Sequence, residues 1–294
     1  MVRVYYSPDY VSAGYAFDTT RKAKWIADSL TRRPIPGIEL VPPPALTRDQ
    51  VAAVHDPDYI LAIETGVPRP LAESQGFTWD AGLWPMVLAS NGGVVAAALA
   101  ALEDGVAGSL SSGLHHARNG RGAGFCTFNG LVIAARAALD AGARSVLILD
   151  LYAHCGGGTR SLITDEPRIW QVDVSLNDFD SYVSSDRIRI EIVEEGSEYL
   201  SVVRRLLDDV PRGGRVFDLC LYNAGMDPFE RCSTGGAEGI TFEVLAERER
   251  IVFDWCRQHR LPVAFVLAGG YVGPVLEEEL LVDLHRLTLL RAVD

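Results

Sequence analysis

The chain has 294 residues, of which 48% are hydrophobic and 22% charged, a composition typical of a folded globule with a sizeable core. Its formal net charge of −12 argues against nucleic acid or an anionic membrane surface as a partner, because both attract clustered Lys and Arg. The five cysteines are scattered and never spaced CxxC, which is typical of free thiols in a reducing cytoplasm.

The N-terminal third is predicted to contain one strand, several helices and two irregular stretches. The predicted elements are a strand at Val2–Tyr6, a helix at Thr19–Leu30, an extended linker at Arg33–Pro44, short helices after Thr47 and Pro57, a loop at Val67–Gly82 and a helix at Leu83–Leu102. The last helix is apolar on all sides after Gly93, so we expect it to be buried between other layers. Its longest apolar run, Val94–Leu102, is shorter than the roughly 20 residues of a membrane span.

From residue 107 onward, the pattern alternates between strand, loop and helix. The predicted strands are Ala107–Gly113, Val146–Asp150, Ile169–Leu176, Val216–Tyr222 and Val263–Leu267. The predicted helices are Asn129–Ala141, Thr159–Ile163, Ser197–Val210, Phe242–His259 and Pro274–Arg291. This alternation predicts a three-layer α/β fold, in which a mainly parallel sheet has helices on both faces. With no internal repeat and no second composition zone, we expect one domain over residues 1–294.

The loops after the predicted strands hold nearly all the side chains that could perform chemistry. In chain order these are His115 and His116, then Asp150, Tyr152 and His154, then Ser175 and Leu176, then Asp227, and finally Tyr271. Open α/β sheets bind ligands at the carboxyl ends of their strands, so we expect these side chains to meet. Histidine and aspartate with an open coordination position can bind Zn²⁺ and activate water, while a tyrosine can stabilise an oxyanion. The pattern therefore favours metal-assisted hydrolysis.

Four motifs, in this order, resemble the histone deacetylase and acetylpolyamine amidohydrolase family. They are LHHARNGRGAGFCTFN, LILDLYAHCGGGT, YNAGMDP and LAGGY, and VHDPDYI resembles that family's N-terminal block. The resemblance covers roughly Phe17 to Leu276. It implies an arginase/deacetylase-like fold and hydrolysis of an acylated amine, such as acetyl-lysine or an acetylated small amine, by zinc-activated water.

The resemblance also implies a role for each matching residue. His115 and His116 match the paired active-site histidines, of which the second acts as general base. Asp150 matches the carboxylate that orients the first histidine, and with Ser175 and Leu176 it matches a structural potassium site. His154 and Asp227 match two of three zinc ligands, and Tyr271 matches the tyrosine that polarises the amide carbonyl. Gly124 and Phe125 match a wall of the acyl channel.

Two positions depart from the family pattern. Tyr152 stands where the family has the third zinc ligand, an aspartate. A phenol has a pKa near 10, against about 4 for a carboxylic acid, so it is a poor anionic ligand at neutral pH. Gly157 stands where the family has the Asp or Asn that supports the second histidine. We therefore expect His116 to lack its carboxylate and zinc binding to be impaired.

Three hypotheses follow from these departures. The chain is an active zinc amidohydrolase that tolerates Tyr152, a metal-free ligand-binding pseudoenzyme, or an enzyme redirected to acid/base chemistry by His116, Tyr152 and Tyr271. Retention of the other site residues favours an enzyme, with a small molecule or an acyl-lysine side chain as substrate. The acidic surface favours cationic amines. We expect a cytoplasmic protein without a nucleic acid or membrane partner. The sequence is compatible with either a monomer or a homo-oligomer.

Overall fold

A computed structural model describes residues 1–14, 18–210 and 216–294; Phe17, where the family resemblance begins, lies outside them. The strands are β1 (Val2–Tyr5), β2 (Ile38–Val41), β3 (Val106–Ser109), β4 (Val146–Leu151), β5 (Ile169–Ser175), β6 (Ile188–Ile192), β7 (Leu219–Gly225) and β8 (Val263–Ala268). Within the described residues they form one sheet in the order β2-β1-β3-β8-β7-β4-β5-β6, and every neighbouring pair is parallel.

Helices cover both faces of this sheet. They are α1 (Asp18–Arg32), α2 (Arg48–Ala52), α3 (Pro57–Thr65), α4 (Arg69–Ala72), α5 (Leu83–Asp104), α6 (Gly130–Asp140), α7 (Gly157–Leu162), α8 (Tyr199–Asp209), α9 (Phe242–Gln258) and α10 (Glu278–Val293). Alternate residues of β4 belong to different cores: Leu147 and Leu149 pack with α1, α8, α9 and α10, whereas Ile148 packs with α3, α5 and α6. The predicted three-layer α/β fold is confirmed.

Helix α5 is the central helix of one layer. By length and composition it could cross a membrane, but 67% of its most apolar window is buried inside the protein. It packs against α6, β3 and β8. The prediction of a helix buried between layers is therefore confirmed, and its apolar surface is explained by packing within the fold.

Among the strands and α-helices of the described residues, three short elements were not predicted from the sequence. The segment expected to be a linker contains β2, which pairs with β1 at the sheet edge, and β6 forms the opposite edge. The stretch expected to be a loop contains the one-turn helix α4. Both edge strands are mostly half-buried or exposed, so their sequences lack the continuous apolar run that identifies the central strands.

Candidate active site

The side chains expected at the site meet at the carboxyl-terminal edge of the sheet. They reach this edge because parallel strands end at the same side, and each of the loops after β3, β4, β5, β7 and β8 contributes to it. The order of the strands puts β8, β7, β4 and β5 side by side in the middle of the sheet. The topology therefore brings together residues that are far apart in the sequence.

His115 is held by a buried carboxylate. Its Nδ1 lies 2.7 Å from Oδ2 of Asp150, whose other oxygen accepts a hydrogen bond from Asn223 at 2.7 Å. Burial lowers the pKa of His115 to about 3, so its imidazole is neutral at neutral pH. Its Nε2 is buried and has no hydrogen-bond partner among the described residues, so this nitrogen is available to a bound group.

His116 has a carboxylate partner, contrary to the expectation from Gly157. Its Nδ1 lies 2.9 Å from Oδ2 of Asp180, in the loop between β5 and β6. The prediction was wrong because it considered position 157 alone, whereas the partner comes from a loop 64 residues away in the chain. Burial and the neighbouring His115 lower the pKa of His116 to about 4, and Asp180 opposes this shift.

The remaining donors do not fit a zinc site of the usual kind. Nδ1 of His154 lies 3.3 Å from Oδ2 of Asp227, a buried oxygen that makes no hydrogen bond of normal geometry. The ring of Tyr152 lies between His115 and His154, and the described residues contain no group of three His, Cys, Asp or Glu placed to hold a metal. Burial, with the nearby Asp227 and Tyr271, raises the pKa of the Tyr152 phenol well above its usual value. Catalytic zinc sites usually have three protein ligands, and a protonated phenol is not an anionic ligand.

A cleft opens to solvent above these residues. It has a volume of about 520 Å³ and is lined by His116, Phe125, His154, Phe179 and Tyr271, among others. Phe179 stands edge-on to His116, with ring centroids 5.1 Å apart. Gly124 has a φ of +50°, and a Cβ there would lie 2.5 Å from the His116 ring, so only glycine allows this close approach. Aromatic side chains therefore form part of the walls of this cleft.

Asp150, one of the residues predicted for the potassium site, lies beside a second carboxylate that was not predicted, Asp173. Asp150 is paired in register with Asp173 on the neighbouring strand, and both carboxylates are fully buried. Oδ1 of Asp173 has no hydrogen-bond partner, and Ser175 Oγ makes no hydrogen bond of normal geometry. Burial, together with Asp150, raises the pKa of Asp173 well above its usual value. Buried carboxylates are normally paired or bound to cations, so this oxygen-rich group fits a cation.

Some residues around the site were missed by sequence reasoning, namely Asp180, Phe179, Arg118 and Asn223. Arg118 and Asn223 lie within the recognised motifs LHHARNGRGAGFCTFN and YNAGMDP, but nothing in those motifs singled them out, and Phe179 and Asp180 lie outside all of the motifs. The nearby cysteines, Cys126 and Cys155, are buried, and burial raises the pKa of each thiol to about 12. These thiols therefore pack as small apolar groups.

Comparisons with known proteins identify relatives across most of the chain. The family model described as "Histone deacetylase domain" matches residues 17–283. An uncharacterized protein of Picosynechococcus is 34% identical over 223 residues, covering 74% of each chain. Histone deacetylase 2 of Arabidopsis thaliana is 28% identical over 62% of this chain, a match that spans only 48% of that protein.

Solved structures with the same fold have much lower sequence identity. The HD domain of HDA15 has a TM-score of 0.81 at 17% identity, covering 98% of this chain and 90% of that one. Acetylpolyamine aminohydrolase from Burkholderia pseudomallei has a TM-score of 0.78 at 18% identity, covering 99% of this chain and 98% of that one. At such identities these structures establish the fold alone.

Proposed function

Since the chain belongs to the histone deacetylase family, we propose that it is an amidohydrolase that removes an acyl group from an amine. The observation that carries this proposal is the pair of neutral histidines, His115 and His116, each hydrogen-bonded to an aspartate, with His116 lining an open cleft. A neutral imidazole oriented by a carboxylate is the arrangement required of a general base.

The cleft suggests the class of substrate. Phe125 and Phe179 supply apolar walls for an acyl group or an alkyl arm. The net charge of −12 favours the approach of a positively charged amine. We therefore propose an acetyl-lysine side chain or an acetylated small amine as the substrate. The names of the relatives support this proposal, since they include a histone deacetylase and an acetylpolyamine aminohydrolase.

The reaction then proceeds through the protein's own side chains. His116 accepts a proton from water as the water oxygen attacks the carbonyl carbon, while the Tyr271 hydroxyl donates a hydrogen bond to the developing oxyanion. When the C–N bond breaks, His116 returns the proton to the leaving amine, and the acid and amine are released. Proton transfer of this kind typically contributes 10²- to 10⁴-fold to the rate.

The mechanism includes no metal step, because the donors around Tyr152 do not fit zinc. In the family this position supplies a third zinc ligand, and we propose that Tyr152 stands in that place here. Potassium is a separate matter: Asp150, Ser175 and Leu176 would hold the ion, with Asp173 beside them. A cation there would neutralise buried carboxylate charge, including that of Asp150, the hydrogen-bond partner of His115.

The proposed activity is tested by direct detection of the released amine. Purified protein is incubated with acetyl-lysine peptides and acetylated diamines, with and without a chelator, and the products are quantified by mass spectrometry. We expect chelator-insensitive release of amine that is lost in His116→Ala. Release that is equal in that variant, or the absence of product from every substrate, would overturn the proposal.

A second candidate function is ligand binding without turnover. It is favoured by the same incomplete donor set around Asp227 and Tyr152, since loss of a metal site commonly ends catalysis. In that case acylated amines would raise the melting temperature of the protein, as any ligand of the folded state does, without forming product. The two measurements together separate binding from hydrolysis.

A further inference from the structure

We propose that Asp180 is the positioning residue for His116, supplied by the loop after β5 in place of the carboxylate that the family carries at position 157. This inference rests on the proposed function, in which His116 is the general base. The loop between β5 and β6 would then both orient His116 through Asp180 and contribute Phe179 to the wall of the cleft.

The contacts of Asp180 are those of a fixed hydrogen-bond acceptor. Its Oδ2 lies 2.9 Å from Nδ1 of His116 and accepts a further hydrogen bond from the backbone N–H of Gly158 at 3.1 Å. Its Oδ1 accepts a hydrogen bond from the guanidinium of Arg118. The side chain is only 8% exposed, so water competes little for these contacts. Such charge-assisted hydrogen bonds are the stronger kind in proteins.

Gly157 is the reason that this carboxylate can approach. A Cβ at position 157 would overlap the backbone oxygen of Asp180 and lie 2.5 Å from its Oδ1. No side chain larger than glycine fits at position 157 while Asp180 keeps this place. The absence of a side chain at Gly157 is therefore what allows the carboxylate of Asp180 to reach His116.

The backbone of Asp180 supports the same conclusion. Its φ is +61°, in the left-handed region that residues with a side chain rarely adopt. Such conformations persist where surrounding contacts hold them, and they are concentrated at functional sites. Here the holding contacts are the hydrogen bonds to His116, Gly158 and Arg118.

The chemical consequence concerns the tautomer of His116. When Nδ1 donates its hydrogen to Asp180, Nε2 keeps its lone pair, and that nitrogen can accept a proton from water. A carboxylate orients a catalytic histidine in the same way in serine proteases, where replacement by the amide costs about 10⁴ in kcat through the wrong tautomer. At zinc sites, loss of such supporting groups typically costs 10- to 100-fold.

The test compares Asp180→Asn with Asp178→Asn, a charge-matched control at an exposed position of the same loop. In ¹⁵N-histidine-labelled protein, we expect His116 to show a single Nδ1–H tautomer in the wild type and in Asp178→Asn. Asp180→Asn should mix the tautomers. It should also lower kcat by about 10- to 100-fold with little change in KM, as expected for an interaction that acts on the chemical step.

A second variant, Gly157→Ala, keeps every functional group but displaces Asp180, and we expect it to reproduce both effects. Asp180→Glu should restore part of the tautomer preference. An unchanged His116 spectrum in both Asp180→Asn and Gly157→Ala would overturn the inference. If the wild type hydrolyses no acylated amine, the proposed function fails, yet the spectra still decide whether Asp180 positions His116.

Discussion

The ring of Tyr152 stands edge-on to His115, with ring centroids 4.5 Å apart and planes at 73°. It also lies against His154, at 5.5 Å. Tyr152 therefore fills the space between the paired histidines and the His154–Asp227 pair. Cβ atoms at Gly225 and Gly269 would each lie 2.6 Å from its ring, so the backbone around the ring is tightly fitted to it.

The first prediction concerns metal binding. Tyr152→Asp removes the ring and adds a carboxylate beside His154 and Asp227, which completes a donor set of the usual composition. We expect about one tightly bound zinc per chain in this variant and at least 100-fold weaker binding in the wild type. Elemental mass spectrometry and calorimetry measure both. Tyr152→Phe, the control, should gain no zinc, and stoichiometric tight zinc in the wild type would contradict this prediction.

The second prediction concerns the oxyanion. Tyr271 lines the cleft, and burial raises the pKa of its phenol, so the hydroxyl keeps its proton and can donate it in a hydrogen bond. We expect Tyr271→Phe to lower kcat by about 10²- to 10³-fold, the usual cost of losing one oxyanion donor, with little change in KM. Undiminished turnover in a folded variant would rule out this role for Tyr271.

The third prediction concerns the cleft wall. Phe179 is 51% exposed in the free protein, and its ring is available to cover a bound acyl or alkyl group. We expect Phe179→Ala to raise KM about 10-fold and to leave kcat nearly unchanged, because apolar contact stabilises ground state and transition state alike. Val183→Ala, at an 84% exposed position, is the control. A fall in kcat without a change in KM would show that this reasoning is wrong.

The fourth prediction concerns potassium. A cation that binds only the folded state stabilises it, and here it would relieve the buried charge of Asp150 and Asp173. We expect melting to occur on the order of 2–4 °C higher in potassium chloride than in choline chloride at equal ionic strength. Asp173→Asn should reduce this difference, whereas Asp178→Asn should preserve it. Equal melting of the wild type in the two salts would exclude the site.

The fifth prediction concerns the pH dependence of stability through His55. Burial lowers its pKa to about 4, and the hydrogen bond that Nδ1 donates to the Arg118 carbonyl only partly opposes this shift, while Nε2 accepts a hydrogen bond from the backbone N–H of Asn129. Between pH 4 and the unfolded value near 6.5, the unfolded state binds more protons. The stabilisation is thus fully present above pH 6.5 and is lost as the pH falls towards 4.

This contribution is measured by urea unfolding at pH 7 and pH 4.5. For His55 alone, the free energy of unfolding should fall by about 2 kcal/mol between these pH values. His55→Gln removes the titrating group, so its stability should change less with pH than that of the wild type. An equal change in both proteins would mean that His55 does not titrate as the structure indicates.

The central part of the fold could be predicted from the sequence because its signals are local. Strands β4, β5, β7 and β8 are buried along their whole length and mostly apolar, and each ends beside a reactive side chain. The edge strands β2 and β6 could not be predicted, because an edge strand buries too little surface to impose an apolar run.

The sequence by itself determined which side chains would meet, since histidines, aspartates and a tyrosine follow successive parallel strands. Only the tertiary structure decided which carboxylate supports His116, and Asp180 lies 64 residues away. A hydrogen bond between loops depends on how closely two backbones approach, and at Gly157 that approach is set by the packing of both loops. Neither hydrophobic periodicity nor motif spacing in the sequence predicts how closely two loops approach, because that distance is a property of the folded chain.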